Sequence, residues 1–160
     1  MLASIGHTAV LGLLVSDESR GRVTDLGAGR TPLMTYALGR YDARRMLDGM
    51  LLASKVLFAA GAKEVHPMVA GVRGLRSPAE ADAALSRDIP AGALRLTAYH
   101  PMSTAAMGAD GVVDGFGRVR AAERLVVPDA SVFPTSLGVN PQVTIMAFAT
   151  RAARRMADEW

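Results

Sequence analysis

The stretch VPDASVFPTSLGVNP at residues 127–141 ends in an Asn-Pro pair, and YHP at residues 99–101 precedes it in the chain. Asn140 followed by Pro141 predicts the start of a helix, because Asn is a preferred N-cap and Pro is favoured at the next position. His100 is predicted to lie at the end of a strand, where the following proline keeps it away from helical dihedrals. One imidazole and one carboxamide thus lie at the two ends of a compact segment, and both could contact one substrate oxygen.

Working outward from this segment, three helices are predicted. Apolar positions at helical spacing over residues 41–60 predict a helix with Asp42 as N-cap and Gly61 as its stop. Ser77, followed by proline and then by glutamate three positions on, predicts a short helix that ends near residue 86. The last helix begins at the Asn-Pro pair and is predicted to run to about residue 158.

Short apolar or alternating runs predict strands between these helices. The predicted strands cover residues 8–15, 22–26, 33–38, 64–69, 94–99 and 124–127. Residues 17–21 form a predicted turn, after which the second strand could pair back as a hairpin, and residues 27–30 form a second turn before the third strand. Residues 102–120, rich in Gly, Ala and Asp, are predicted to form a loop. The pattern predicts an α+β fold, an antiparallel sheet with flanking helices.

Composition narrows the class of protein. The chain has 160 residues, half of them hydrophobic, a net charge of +3 and no cysteine. This length suits one domain with a real core. The small net charge and scarce aromatic residues argue against nucleic-acid binding, and the missing thiols exclude disulfides and cysteine nucleophiles. The sequence contains no run that could span a bilayer and no secretory signal, so we predict a cytoplasmic location.

Two interpretations of His100 stay open from the residues alone. A histidine at a strand end that faces a loop is well placed to act as a general base, because its pKa lies near neutrality. The alternative is a half-buried histidine that bonds the backbone. His7 and His66 are predicted to be structural, although His66 also precedes a proline.

Asn140 also allows two interpretations. The free N–H groups at a helix start, together with the helix dipole, favour a negative charge such as an oxyanion or an anionic ring edge. The alternative is a plain N-cap whose side chain bonds the amide of Val143.

Three other chemistries find little support in the sequence. A hydrolase triad of His100, Asp129 and Ser131 is ranked last, because Ser131 lies outside a G-x-S-x-G turn. The spacing of the histidines and carboxylates is not typical of metal ligands. Gly27-Ala28-Gly29 is followed by Arg-Thr-Pro, so it is not a dinucleotide-binding fingerprint.

The same segments resemble the glucose–methanol–choline (GMC) flavin oxidoreductases. Residues 99–108, YHPMSTAAMG, resemble the catalytic-histidine segment of that family, and residues 127–147 resemble its closing signature. Residues 21–23, 32–36 and 59–62 look like the substrate-domain region, so the resemblance covers nearly the whole chain.

The resemblance implies a role for individual residues. His100 matches the general base and Asn140 the second substrate-facing residue, which implies the His–Asn subtype similar to cholesterol and choline oxidases. Asp129 and Ala130 match the turn that contacts the ribityl chain of FAD. The helix start that faces the flavin pyrimidine ring is matched by Asn140, Pro141, Gln142 and Val143. Ser103 departs from the usual glycine, and we expect a modest shift of the loop there.

The implied reaction is oxidation of a small-molecule alcohol by hydride transfer from its CH–OH group to FAD, with His100 as the base. Residues 1–98 correspond mainly to the substrate domain, and residues 99–160 to the catalytic loop and the flavin-facing segment. The N-terminal FAD-binding half is absent, so we expect a fragment of a longer enzyme in preference to one half of a split enzyme. The competing hypothesis is a non-catalytic remnant or interaction module that does not bind flavin by itself.

Overall fold

The structure, a computed structural model, describes residues 2–159. It is an α+β fold with three helices and a two-stranded antiparallel sheet in that range. The strands are β1 (Gly21–Thr24) and β2 (Leu33–Tyr36), and the helices are α1 (Arg40–Ala59), α2 (Pro78–Leu85) and α3 (Gln142–Glu159). Short 3-10 turns cover Leu2–His7, Ala91–Ala93 and Ala130–Val132.

The chain divides into two compact units. The first contains residues up to 15 and residues 38–96, and it is built on the packing of α1 against α2. Its core consists of apolar side chains from both helices and from the segments that follow them: Ala43, Leu47, Met50, Val69, Leu75, Ala81, Leu85 and Leu94. An ion pair of 2.8 Å between Lys55 and Asp82 also joins the two helices.

The second unit contains residues 16–37 and the chain from residue 97 onward. Its core is smaller, and long loops rather than helices contribute most of it: Val113, Val132, Phe133 and Phe148 are buried. The rings of Phe133 and Phe148 meet edge to face, with centroids 5.8 Å apart, so α3 is fixed to the segment around residue 133. The assignment of a substrate role to residues 1–98 and a catalytic role to residues 99–160 stays a prediction.

The second predicted turn and the helices are confirmed, whereas the hairpin predicted across residues 17–21 does not form, because residues 8–15 are not a strand. β1 pairs with β2 from Gly21 opposite Tyr36 to Thr24 opposite Leu33. The Ser77 hydroxyl accepts the amide of Glu80 at 3.1 Å, as an N-cap should. Gly61 ends the first helix with a φ of +93°, a conformation that glycine adopts without strain.

Asp42, however, is not the N-cap of α1. That position belongs to Gly39, and Asp42 lies buried in the first turn of the helix. A carboxylate in the first turn interacts favourably with the positive end of the helix dipole, so Asp42 still stabilises the start of α1. The helix therefore begins two residues before the predicted cap.

Four predicted strands are wrong. Residues 8–15 form no regular element, and Val10 is 93% exposed. The runs at 64–69, 94–99 and 124–127 supply only isolated bridges. The bridges join Val65 to Leu75, Val69 to Leu94 and Arg118 to Val126. A strand needs a neighbour to satisfy its N–H and C=O groups, and periodicity in one segment does not say whether a partner lies beside it.

Candidate functional site

The segment that follows His100 is fastened to the turn at residues 130–133 by three hydrogen bonds. The Ser103 hydroxyl donates to the carbonyl of Phe133 at 3.0 Å. The amide of Ala105 donates to Ser131 at 3.0 Å, and the amide of Met107 donates to Val132 at 2.8 Å. The two sequence motifs that suggested a site are thus in direct contact.

His100 itself is exposed, and its side chain forms no hydrogen bond or ion pair with any residue from 2 to 159. The predicted strand before it is absent, so the imidazole stands on a loop whose next anchor is Ser103. A half-buried histidine bonded to the backbone is therefore not what the fold contains. Both ring nitrogens are available to a ligand.

Asp129 and Ser131 pair with each other. The Asp129 carboxylate accepts the Ser131 amide at 2.8 Å and the Ser131 hydroxyl at 2.6 Å, and thereby caps the 3-10 turn that begins at Ala130. A triad requires the carboxylate to orient the histidine and the histidine to activate the serine. Because His100 bonds neither residue, the described geometry does not form a hydrolase triad.

Asn140 lies just before α3 and is exposed. The first helical bond runs from the amide of Ile145 to the carbonyl of Pro141 at 2.8 Å, so Pro141 takes the N-cap position that the sequence assigned to Asn140. Pro141 is buried, and within the described residues the Asn140 carboxamide forms no hydrogen bond, including to Val143. Both the carboxamide and the first amides of α3 are therefore free to bind a ligand.

A side-chain hydrogen bond from residue 16 holds the segment before Asn140. The Ser16 hydroxyl donates to the carbonyl of Ser136 at 3.1 Å. Gly138 has a φ of +67°, and a Cβ there would lie 3.0 Å from the Cβ of Ser16. Because glycine has no Cβ, the chain at residue 138 can adopt this turn toward Pro141 while it lies close to Ser16.

The loop at residues 108–120 has an internal structure that the sequence reasoning missed. The Asp114 carboxylate accepts the amides of Phe116 at 2.8 Å and of Arg118 at 3.0 Å. The Arg120 guanidinium donates to the carbonyls of Gly108 at 2.8 Å and Gly111 at 3.1 Å. The Asp-Gly-Phe-Gly run was the available signal, because Asp side chains commonly close such turns.

These contacts also set the charge state of Asp114. Burial raises the pKa of this carboxyl, but the two amides and the charges of Arg118 and Arg120 outweigh burial and hold the pKa below its usual value. Asp114 is thus a structural carboxylate that stays ionised near neutrality.

Other site types are not supported within residues 2–159. The glycines at 27 and 29 lie in the turn that joins β1 to β2, with the Arg30 amide 3.0 Å from the Gly27 carbonyl, so they do not open a helix under a phosphate. No cluster of three or more His, Asp or Glu side chains in the described range could hold a metal ion. Over the same residues, no helix combines the length and apolar character that a bilayer crossing requires.

Comparison with known proteins identifies the class. The sequence profile described as GMC oxidoreductase matches residues 17–149. This match covers most of the chain, so the chain belongs to the GMC oxidoreductase family and corresponds to its C-terminal part. Proteins of this family are generally FAD-dependent.

The individual relatives are longer proteins. An uncharacterized GMC-type oxidoreductase of Sinorhizobium fredii is 38% identical over 143 residues, which cover 88% of this chain and 28% of the relative. A GMC-type oxidoreductase of Mycobacterium tuberculosis is 37% identical over 91% of this chain and 23% of the relative. A long-chain-alcohol oxidase of Arabidopsis thaliana is 30% identical over 98% of this chain and 22% of the relative.

A solved structure supports the same fold. The crystal structure of pyridoxine 4-oxidase from Mesorbium loti matches with a TM-score of 0.63 and 26% identity, over 91% of this chain and 28% of that chain. The chain thus spans roughly a quarter of the length of the relatives it matches.

Proposed function

We propose that this chain is the substrate-binding and catalytic portion of an FAD-dependent oxidoreductase that acts on the CH–OH group of an alcohol. One observation carries the proposal. His100 and Asn140 are both exposed, and their side chains form no hydrogen bond with any residue from 2 to 159. Their segments attach to the same core around Phe133 and Phe148. Two polar side chains that are available for hydrogen bonds and attached to one core support a shared role at a substrate oxygen.

His100 takes the role of general base. Its imidazole accepts the hydroxyl proton of the alcohol at the unprotonated ring nitrogen, and its solvent-accessible position lets that proton leave again. General-base catalysis of this kind contributes roughly 10²- to 10⁴-fold to a rate. Its surroundings support this role, since no carboxylate or carbonyl of the described part of the chain bonds the ring.

Asn140 takes the role of the positioning donor. Its carboxamide N–H groups donate to the substrate oxygen and hold the carbinol C–H bond in one direction. Such positioning contributes to catalysis because a well-oriented encounter removes much of the entropic barrier, about 7–11 kcal/mol in favourable cases. Asn140 at the second substrate-facing position, with His100 at the first, is the basis for proposing the His–Asn subtype.

The start of α3 fits the anionic edge of a flavin. The amides of Gln142 and Val143 have no intrahelical acceptor, and both residues are exposed. Free amides and the helix dipole together stabilise negative charge at this end. Asp129 and Ala130, on the capped turn that contacts the His100 segment, are the residues proposed to contact the ribityl chain. When bound, FAD supplies the acceptor for the hydride.

The remaining FAD contacts must come from a partner portion, and we propose that the FAD-binding half of a GMC protein covers part of the second unit. Three apolar residues are each more than half exposed: Val139 just before α3, and Val143 and Met146 on the side of α3 opposite the buried Phe148. Exposed apolar groups of this kind mark interaction surfaces. The hairpin pair Val23 and Met34 adds a further apolar contact for that portion.

A second candidate is an interaction module that binds no flavin alone. The hairpin turn at Gly27 favours it, because within residues 2–159 no glycine-rich strand–helix turn is present to hold the FAD phosphates. This candidate shares the fold and differs in whether catalysis follows once the FAD-binding half is supplied. The cytoplasmic location also stays a prediction.

The test is to produce the chain together with the FAD-binding portion, joined or co-expressed, and to record the flavin spectrum without oxygen. We expect a yellow protein whose flavin band bleaches when an alcohol is added. The alcohol panel should include long-chain primary alcohols, pyridoxine, choline and a sterol. A complex that binds FAD but is bleached by none of these classes supports the interaction module and contradicts the catalytic proposal.

A further inference from the structure

Ser103 has an unusual backbone conformation for a residue with a side chain. Its φ is +72°, in the left-handed region where a Cβ crowds the backbone. Glycine occupies this region without strain, and serine does not. A non-glycine residue in this conformation persists only where its surroundings hold it there.

The hydroxyl of Ser103 supplies that support. It donates to the carbonyl of Phe133 at 3.0 Å, in a half-buried setting. Only Pro101 and Met102 separate Ser103 from His100, so this bond is the first anchor after the imidazole. The next two anchors, from the amides of Ala105 and Met107, come further along the segment.

The acceptor is itself fixed to the last helix. The Phe133 ring packs edge to face against Phe148 of α3, at 5.8 Å between centroids. A continuous set of contacts therefore runs from Ser103, three residues after His100, through Phe133 to the helix that follows Asn140. A shift of Ser103 would move His100 against that helix.

We propose that Ser103 is a positioning residue, whose hydroxyl bond to the Phe133 carbonyl holds a left-handed turn and thereby fixes His100 relative to α3. The inference rests on the proposed function for its catalytic consequence, and on the φ angle and the hydrogen bond for its structural part. Glycine would adopt this turn through its conformational freedom alone, whereas serine needs the hydrogen bond to hold it.

Two substitutions distinguish the effect of the Ser103 hydroxyl bond from the effect of the backbone strain. Ser103→Ala removes the hydrogen bond but keeps the Cβ in the left-handed region, so the turn relaxes and His100 shifts. Ser103→Gly removes the hydrogen bond and the Cβ together. The turn is retained because glycine adopts a positive φ without strain. The matched control is Thr104→Ala, because Thr104 is exposed and its side chain forms no hydrogen bond within residues 2–159.

The first measurement is flavin reduction without oxygen, in the complex of the chain with its FAD-binding portion. We expect the limiting reduction rate to fall about tenfold in Ser103→Ala, since misplacement of a catalytic group is costly. We expect KM for the alcohol within about twofold of the parent, and a rate within about threefold for Ser103→Gly and Thr104→Ala. A rate for Ser103→Ala within twofold of the parent, or a Ser103→Gly variant as slow as Ser103→Ala, overturns the proposal.

The second measurement does not depend on activity. Amide hydrogen exchange of residues 103–107 should be about tenfold faster in Ser103→Ala and unchanged in Ser103→Gly. Unchanged exchange in Ser103→Ala overturns the proposal whatever the enzyme does. Faster exchange in a complex that no alcohol reduces would leave the turn as proposed and count against the catalytic function alone.

Discussion

Two His-Pro pairs in this chain have opposite surroundings. His66 lies beside Glu64, with its Nε2 atom 3.0 Å from the carboxylate, and the preceding Val65 bridges to Leu75. His100 also precedes a proline, but its imidazole has no protein partner in the described range. The dipeptide fixes only the local backbone, and the neighbours decide whether the imidazole is occupied or available for chemistry.

The wider regions differ in the same way. His66 belongs to the unit in which α1 and α2 build a helical core. His100 belongs to the unit in which loops are held by side-chain and backbone hydrogen bonds around Phe133. Substitutions that alter only the packing of the first region should therefore change stability, whereas substitutions at the segments of His100 and Asn140 in the second should change catalysis.

The largest expected effect comes from His100→Ala in the complex with the FAD-binding portion. Loss of the base should slow flavin reduction roughly 10³-fold. His66→Ala is the matched control, and it should leave the rate unchanged because His66 pairs with Glu64 at an exposed position. Anaerobic stopped-flow spectroscopy measures both, and equal rates for the two variants would remove the distinction between the two pairs.

Asn140→Ala should have the next largest effect, a decrease of about 10²-fold in the reduction rate, since one preorganised donor to the reacting oxygen is lost. Thr144→Ala, also exposed near the start of α3, serves as the control. Retention of both the parent rate and the parent flavin potential in Asn140→Ala would contradict a role at the substrate oxygen.

Gly117→Ala tests the support of the second region. Gly117 has a φ of +81°, and a Cβ there would lie 2.6 Å from the Val127 carbonyl and 3.2 Å from the Phe148 ring. We expect a loss of about 3 kcal/mol in the free energy of unfolding, from strain and overlap together. Gly71 has a similar φ of +79° but open space around it, so Gly71→Ala should cost only about 1 kcal/mol. Chemical denaturation measures both, and equal losses would show that the contact with α3 contributes nothing.

Ser77→Ala tests the region of His66. Loss of the hydroxyl that caps α2 should lower the free energy of unfolding by about 1 kcal/mol. Flavin reduction by the complex should stay at the parent rate. A slower reduction at unchanged flavin content would mean that the helical unit is coupled to catalysis, against the comparison made here.

Asp114→Asn should have the smallest and most pH-dependent effect. The pKa of Asp114 is lowered on folding, so its stabilisation is complete above the unfolded pKa, about 3.9, and is lost as the pH falls through the folded value. The variant should be less stable than the parent at neutral pH, and the difference should shrink below about pH 4. Unfolding free energies measured from neutral to acidic pH check this, and a constant difference would contradict it.

The elements predicted correctly are those with local causes. Ser77 caps α2 because its side chain reaches an amide three residues away. Gly61 ends α1 because the left-handed conformation that follows a helix is one that glycine adopts without strain. The turn at residues 27–30 is also local, but residues 21–24 pair with the strand that follows this turn and not, as the sequence predicted, with the segment before residue 17. The predicted strands at 8–15 and 94–99 failed, since a strand depends on a partner elsewhere in the chain.

The candidate site divides along the same line. The residues themselves were recognised from two motifs, and Ser103 stood out because serine takes the place of a usual glycine. Its left-handed φ and its bond to Phe133 were not readable from the sequence, because both depend on a residue thirty positions away. The bond between Asp129 and Ser131, in which His100 takes no part, likewise depends on the folded turn.

The sequence by itself determined the family and the three helices and indicated the two candidate polar side chains, because caps, periodicity and motif spacing act over a few residues. Only the tertiary structure decided that the imidazole of His66 has a carboxylate partner while that of His100 has none in the described range. It also decided how the loop after His100 is bonded to the segment that packs on the last helix. Those outcomes depend on hydrogen bonds and ring contacts between distant segments, whose formation no single stretch of sequence specifies.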